Sequence, residues 1–320
     1  MKKILLMLLM LPVLVFAWEP SKPVTAIIGN APGAGNEIAF RKLTSIISKT
    51  SKASFVVENK QGADSVIAMN YMMTAPADGH YLAVINHMSV YVTNDIWEKN
   101  IKKFEYNSFT DVLTIGKSPL VLVANTKSKI NTPQDFARLV STTKQPVFVA
   151  IGSGAHKMAF EYTMFKTQGN KELVQTIQFH GPAQALMSVA SDAGGTEFGI
   201  MPVAVAKSLI DAGKVKAIGI TGDRKLTQMP FVPLLRSIAP GINVYAAWAI
   251  VLPPDTPKDI LDYYVQTFAA AIKTVEYKEW CDENLVFIEE RELTNAGLRR
   301  HAEELRANFL PLTKLINLNE

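Results

Sequence analysis

The chain has 320 residues, 48% of them hydrophobic and 19% charged, with a formal net charge of +4. That length suits about two domains at roughly 100–200 residues each, and the apolar content excludes a disordered chain. No basic cluster tracks a phosphate backbone, which argues against nucleic acid as a partner, and the single cysteine, Cys281, excludes an intramolecular disulfide.

The first element is a targeting segment. MKKILLMLLMLPVLVFA places Lys2 and Lys3 before an apolar run from Ile4 to Phe16 and ends on the small residue Ala17. This is the pattern of a secretory signal peptide, too short for a membrane span of about 20 residues. Cleavage after Ala17 is expected to leave a mature chain starting at Trp18, with a formal charge of 4 − 2 = +2. No cysteine follows the cut to carry a lipid, and no later stretch has the length of a span.

The mature sequence alternates strand-like runs with helical patterns, the mark of an α/β fold. Val24–Ile28 is a strand candidate, and a helix follows from about Glu37 with Ile38, Leu43, Ile46 and Ile47 on one face. Phe55–Val57 is a second strand. A helix over Ser65–Thr74 ends near Pro76 and the turn at Asp78-Gly79, and Tyr81–Ile85 is a third strand. Leu120–Ala124 and Val147–Ile151 are continuous apolar runs, as expected of strands buried on both faces. Thr176–Phe179 and Phe198–Met201 read as strands, each followed by a proline (Pro182, Pro202) suited to a first helical turn. The helix Val203–Ala212 stops at Gly213, Ala217–Thr221 is a further strand, and the tail from Pro257 is helical, with Leu298–Leu315 after a break.

Two segments share one design. VTAIIGNAPGAGNEIAF and PVFVAIGSGAHKMAF each run from an apolar strand through a glycine-rich turn into a helix. The first N–H groups of a helix lack internal partners and carry the positive end of its dipole. A glycine turn lets that end approach an anion closely. Two such ends facing each other across a cleft would grip a dicarboxylate by both ends, with Asn36 as a candidate N-cap of the first helix.

Other chemistries fit poorly. Gly29, Gly33 and Gly35 run G-x-x-x-G-x-G, not the dinucleotide fingerprint G-x-G-x-x-G, although Glu58 resembles a ribose-binding acid; no Gly-Lys-Ser/Thr of a phosphate loop is present. Ser153 lacks the flanking glycines of a nucleophile elbow, since Ile151 and Ala155 occupy those places. The five histidines have no metal spacing and are expected at the surface or in turns. No acid–base constellation stands out, so neither an enzyme nor a cofactor is expected.

In their order these motifs resemble the periplasmic solute-binding proteins of tripartite tricarboxylate transporters, the Bug-type family. IIGNAPGAGNEIA resembles the family's first ligand loop, VVENKQGADSVIAMNYMMTAPADGHYL its V-x-N-x-x-G-A stretch and later A-x-x-D-G turn, and QFHGPAQALMSV the segment that opens a helix. AGKVKAIGITGDRK, PFVPLL and AAWAIVLPPDTP complete the run. The resemblance implies a two-lobed periplasmic binding protein of type II, each lobe a mixed β-sheet flanked by helices. Lobe one would be residues 18–119 with 243–320, and lobe two residues 120–242, with the ligand cleft between them.

It also implies a periplasmic, monomeric receptor that takes a small organic acid or amino acid and passes it to membrane transporter subunits. The expected ligand contacts are Ala31, Gly33, Gly35 and Asn36 in the first turn and Ser153, Gly154 and His156 in the second. His87, Ser89, His180 and Gly181 are expected as lateral contacts, most of these residues acting through backbone N–H groups. Departures from the family pattern are a shortened second turn, Lys157 in place of a common His, Phe179-His180 in place of Tyr-Lys, and Glu37 in place of a common Asp. His156 or Lys157 would add positive charge, whereas Glu37 would oppose a second carboxylate unless it capped its own helix or met an amine. The rival readings are a ligand-sensing subunit for a membrane kinase and an exported enzyme with a nucleotide cofactor.

Overall fold

The computed structural model describes residues 18–96, 101–191, 195–223 and 225–313; the proposed signal segment and Leu315 lie outside these. In chain order the strands and helices are β1 (Val24–Ile28), α1 (Gly35–Ile47), β2 (Phe55–Asn59), α2 (Val66–Met72), β3 (Tyr81–Asn86), α3 (His87–Tyr91), β4 (Thr110–Asn125), α4 (Pro133–Thr142) and β5 (Val147–Ile151). There follow α5 (Gly154–Thr167), β6 (Val174–Gln178), α6 (Pro182–Ala190), β7 (Phe198–Pro202), α7 (Val203–Asp211), β8 (Val215–Ile220), β9 (Tyr245–Leu252), α8 (Lys258–Ile272), α9 (Val275–Glu283) and α10 (Asn295–Thr313).

The sheet has nine strands among the described residues, in the order β2-β1-β3-β9-β4-β7-β5-β6, with β8 also on β4. Its first half joins parallel β2, β1 and β3 to antiparallel β9. Its second half joins parallel β6, β5 and β7 to β4. The 16-residue β4 belongs to both: Thr110–Pro119 pair with β9, and Leu120–Asn125 pair with β7 and β8. Only Leu120–Ala124 of it is visible as a strand in sequence, because Gly116, Lys117 and Pro119 read as loop residues. A proline is tolerated there because the ladder changes partner at that point.

Parallel strands covered by helices on both faces need apolar side chains in both directions, and the runs Val24–Ile28 and Val147–Ile151 supply them at the expected positions, except that Phe148 is exposed. Helix α1 buries Ala39, Phe40, Leu43, Ile46 and Ile47 at three- and four-residue spacing. Full burial of each large aliphatic is worth about 1.5–3 kcal/mol. Ile38 is a correction: it is 43% exposed, because it stands about 200° round the helix from Phe40.

Helix α4, not anticipated from sequence, starts with a capping box. Thr132 Oγ1 accepts from Asp135 N at 3.1 Å while the Asp135 carboxylate accepts from Thr132 N at 3.2 Å, and Pro133 occupies the first turn. Strand β9 and helix α3 were likewise not anticipated as elements, while α8 and α9 fall in the tail read as helical. Cys281 is buried in α9, and burial pushes its thiol up to about 12.

Candidate functional site

The loops at one end of the two half-sheets meet. After β1 the chain passes Gly29, Ala31 and Gly33 into α1. After β2 it turns through Gly62–Ser65, and β3 leads straight into α3. From the second half come the turns β5–α5 (Gly152–Gly154) and β6–α6 (His180–Pro182). The glycines record how closely these loops approach. A Cβ built on Gly181 would stand 3.7 Å from the Cβ of Ala31, across the two halves. One on Gly152 would lie 2.5 Å from Pro182 N, and one on Gly154 would fall on the Asp64 carboxyl and within 2.7 Å of Thr93 Oγ1. Gly35 has the ring of Trp248, on β9, where its side chain would be.

The first turn is organised by Glu37. Its carboxylate is buried, accepts Gly33 N–H at 3.3 Å and Asn59 Nδ2 at 3.1 Å, and pairs with Arg41 at 2.7 Å. Glu37 thus holds its own loop instead of facing a ligand, and it commits the Gly33 N–H that was expected to be a contact. Gly33 itself is exposed, has φ +82° and has nothing within 4 Å of where a Cβ would be; its need is conformational. Asn36 is also corrected. The N-cap is Ala34, while the buried Asn36 side chain donates to Asn30 Oδ1 at 3.0 Å and to Val84 O at 3.2 Å. It ties α1 to the strands.

The segment Ala63–Asp64–Ser65, which escaped the sequence reading as a site, has three consecutive positive φ values of 47°, 48° and 79°. Each is costly for a residue with a Cβ, by about 1–2 kcal/mol. The Asp64 carboxyl accepts Ser89 Oγ at 2.9 Å and Thr93 Oγ1 at 2.9 Å, both at or next to α3. Ser89 is thereby tied to the Gly62–Ser65 turn.

In the second half, His156 is buried in the first turn of α5 and its Nδ1 accepts Gly152 N–H at 3.2 Å. Burial lowers its pKa to about 3. The imidazole is neutral at ordinary pH, so the positive charge expected from it is absent, and its work is to brace the Gly152 turn. The Ser153 hydroxyl is buried without a partner among the described residues. His180 is exposed and Gly181 buried, next to Pro182 at the start of α6. No group of three or more His, Cys, Asp or Glu among the described residues is placed to hold a metal.

The sequence matches the family described as "Tripartite tricarboxylate transporter family receptor" over residues 38–302. The chain belongs to that family. The receptor is 24% identical over 265 residues to the UPF0065 protein in the gbd 5' region of Cupriavidus necator, covering 81% of this chain and 77% of that one. It superposes on the periplasmic binding protein BugD with a TM-score of 0.85 at 20% identity, over 94% of this chain and 99% of BugD. On MatC of Rhodopseudomonas palustris, solved with bound malate, the TM-score is 0.84 at 20% identity, over 92% and 99% of the two chains. The fold is therefore that of the periplasmic binding proteins, as expected from sequence. No helix of the described residues is long and apolar enough to cross a membrane.

His87 departs from the receptor's cleft. Two residues from Ser89 on the short helix α3, it sits on the opposite side and lines a separate cavity of about 130 Å³ with Lys117, Tyr245, Arg291 and His301. The His87 and His301 rings lie 5.1 Å apart. Lys117 is buried and pairs with Glu292 at 2.5 Å and Glu289 at 3.1 Å, while Glu292 also accepts Thr114 Oγ1 at 2.9 Å. His301 Nδ1 is 3.1 Å from Glu292, yet burial and then the Lys117 charge lower its pKa to about 3. Burial, then His301 and Lys117, likewise hold His87 well below its usual range. Of the five histidines, His80, His87 and His156 are thus buried, His301 is half-buried and His180 is exposed, where surface or turn positions were expected. His87 is not a lateral contact of the cleft.

Proposed function

We propose that this receptor is exported, is cleaved after Ala17, and captures a small carboxylate-bearing metabolite for the membrane subunits of a tripartite transporter. It acts as a monomer and without chemical turnover. Residues 18–119 with 243–320 form one lobe, residues 120–242 the other, and closure of the two on ligand is the functional motion. The observation that carries this reading is the approach of two glycine turns to loops of the opposite half-sheet: Ala31 of the first turn stands against Gly181, and Gly154 of the second against Asp64 and Thr93. One leads into α1 and the other into α5, helices of 13 and 14 residues, and both bring a positive helix end to the cleft. Ala31, Gly35, Ser153, Gly154 and Gly181 are the contacts proposed there, with Gly33 shaping the turn. The malate found in MatC is a carboxylate of the class proposed.

The test is calorimetry and thermal unfolding against mono-, di- and tricarboxylates. A ligand at a hundred times its Kd is expected to stabilise the wild type by about 2.7 kcal/mol. Gly33→Val is expected to lose that response, since valine disfavours φ +82°. A flat wild-type response across the whole panel overturns the reading.

A further inference from the structure

We propose that Asp64 is a specificity-determining residue: its carboxyl group fills the seat at the first turn of α5, so that the cleft prefers a carboxylate bearing an amine or hydroxyl over a plain dicarboxylate of the same length. This rests on the carboxylate-receptor reading above. A cleft with two positive helix ends is suited to a ligand with a carboxylate at each end. Here one of those ends already faces a carboxyl group from the opposite half-sheet, since the Cβ of any residue other than glycine at position 154 would fall on Asp64.

The seat is built, not incidental. Ser89 and Thr93 each give one hydroxyl hydrogen bond to a different oxygen of Asp64. A carboxylate offers about four acceptor positions, so further donors are still accommodated at these two oxygens. Beside it, the buried Ser153 hydroxyl, immediately before Gly154, has no partner among the described residues, so a polar group is called for at the same place. A ligand carboxylate brought to Asp64 meets like charge, which disfavours it. An ammonium or hydroxyl meets an acceptor, and a hydrogen bond involving an ionised partner is about twice as strong as a neutral one. Glu37, the other acidic residue at the cleft, is already engaged by Arg41, Asn59 and Gly33. Selectivity therefore falls to Asp64.

Matched pairs that differ only at one end test this: succinate against β-alanine, glutarate against 4-aminobutyrate, and adipate against 6-aminohexanoate, with the corresponding ω-hydroxy acids. Calorimetry on the full mature protein is expected to show at least a tenfold preference for the amino or hydroxy acid over its dicarboxylate. Asp64→Asn, nearly isosteric, is expected to move that ratio at least tenfold toward the dicarboxylate. A wild type that binds dicarboxylates as well or better overturns the proposal, and so does an unchanged ratio in Asp64→Asn, while carboxylate binding itself still stands. If no member of the panel binds, the carboxylate reading falls and the proposal with it. Should Asp64→Asn fail to fold, the wild-type ratio alone decides.

Discussion

The cleft and the polar cluster behind it are built in opposite ways. The cleft relies on backbone: glycines at 29, 35 and 152 remove side chains so that the turns pack tightly within each half-sheet, and Gly154 lets the second half reach Asp64 and Thr93 of the first. The cluster relies on long side chains, with Lys117 from β4 reaching Glu289 and Glu292 just before α10. Lys117 and Glu292 are buried and paired, the half-exposed Glu289 also meets Arg291, and the chain around them is pinned as well: Lys117 N donates to Phe287 O and Phe287 N to Lys117 O, at 3.0 and 2.9 Å. Polar residues therefore do different work in the two places. In the cleft they set the shape of the turns, and behind it they fasten the C-terminal segment to the strand that joins the half-sheets.

Breaking the cluster is expected to have the larger effect. Lys117→Met leaves Glu292, fully buried, without its close cation and with only the exposed Arg291 at 4.0 Å, and removal of one partner of a buried pair costs about 3–5 kcal/mol. Urea denaturation of this variant and of Lys117→Met with Glu292→Leu separates the terms. The double variant is expected to recover at least half of the loss, and a single variant within 1 kcal/mol of wild type (by the same scale) would show that the cluster is not a fastening.

Next comes the histidine on the cleft side. Because His156 has a folded pKa of about 3, below its unfolded value of about 6.5, its contribution is present above that value. It is lost as pH falls from 6.5 toward 3. At pH 5 this amounts to about 2 kcal/mol relative to pH 7. His156→Asn, which keeps an acceptor for Gly152 N–H, is expected to shrink the difference in stability between pH 7 and pH 5 by that amount. Asp111, raised to about 6 by burial against the opposing pull of Arg299 and Tyr91, works in the other direction and is common to both proteins. An unaltered pH profile would mean that the buried imidazole accepts a proton.

The smallest effect is expected at Glu37. Its partner Arg41 is 59% exposed, so the ion pair is worth no more than about 1 kcal/mol. Glu37→Gln retains an acceptor for the first turn and is expected to change carboxylate affinity less than about twofold, a free-energy difference well under that of one hydrogen bond. A tenfold gain for dicarboxylates would instead place the Glu37 charge at the ligand.

Much of this was legible in sequence where one cause acts locally. Continuous apolar runs located β1 and β5, and proline and glycine marked the limits of α6 and α7. The two glycine turns were legible as a pair because each lies between a strand and a helix. Asp64 was not, because its role depends on Ser89, Thr93 and Gly154, which the chain brings together only after folding; the polar pair Asp64-Ser65 soon after Gly62 was the available sign. His87 and Ser89 looked equivalent in sequence, yet a helical turn sends them to opposite sides. Lys117 and Glu292 are 175 residues apart, and nothing local announces such a pair.

The way β4 and β9 pass from one half-sheet toward the other bears on how the cleft can open. They are hydrogen-bonded to each other up to Pro119 and Tyr245, and Thr221 clips the crossing by accepting Leu120 N–H and donating to Val244 O. A ribbon of two bonded strands resists shear in its own plane, where hydrogen bonds would have to stretch, and yields to bending and twist across its face. The crossing should therefore behave less like a ball joint than like a leaf spring, returning the two halves along one path.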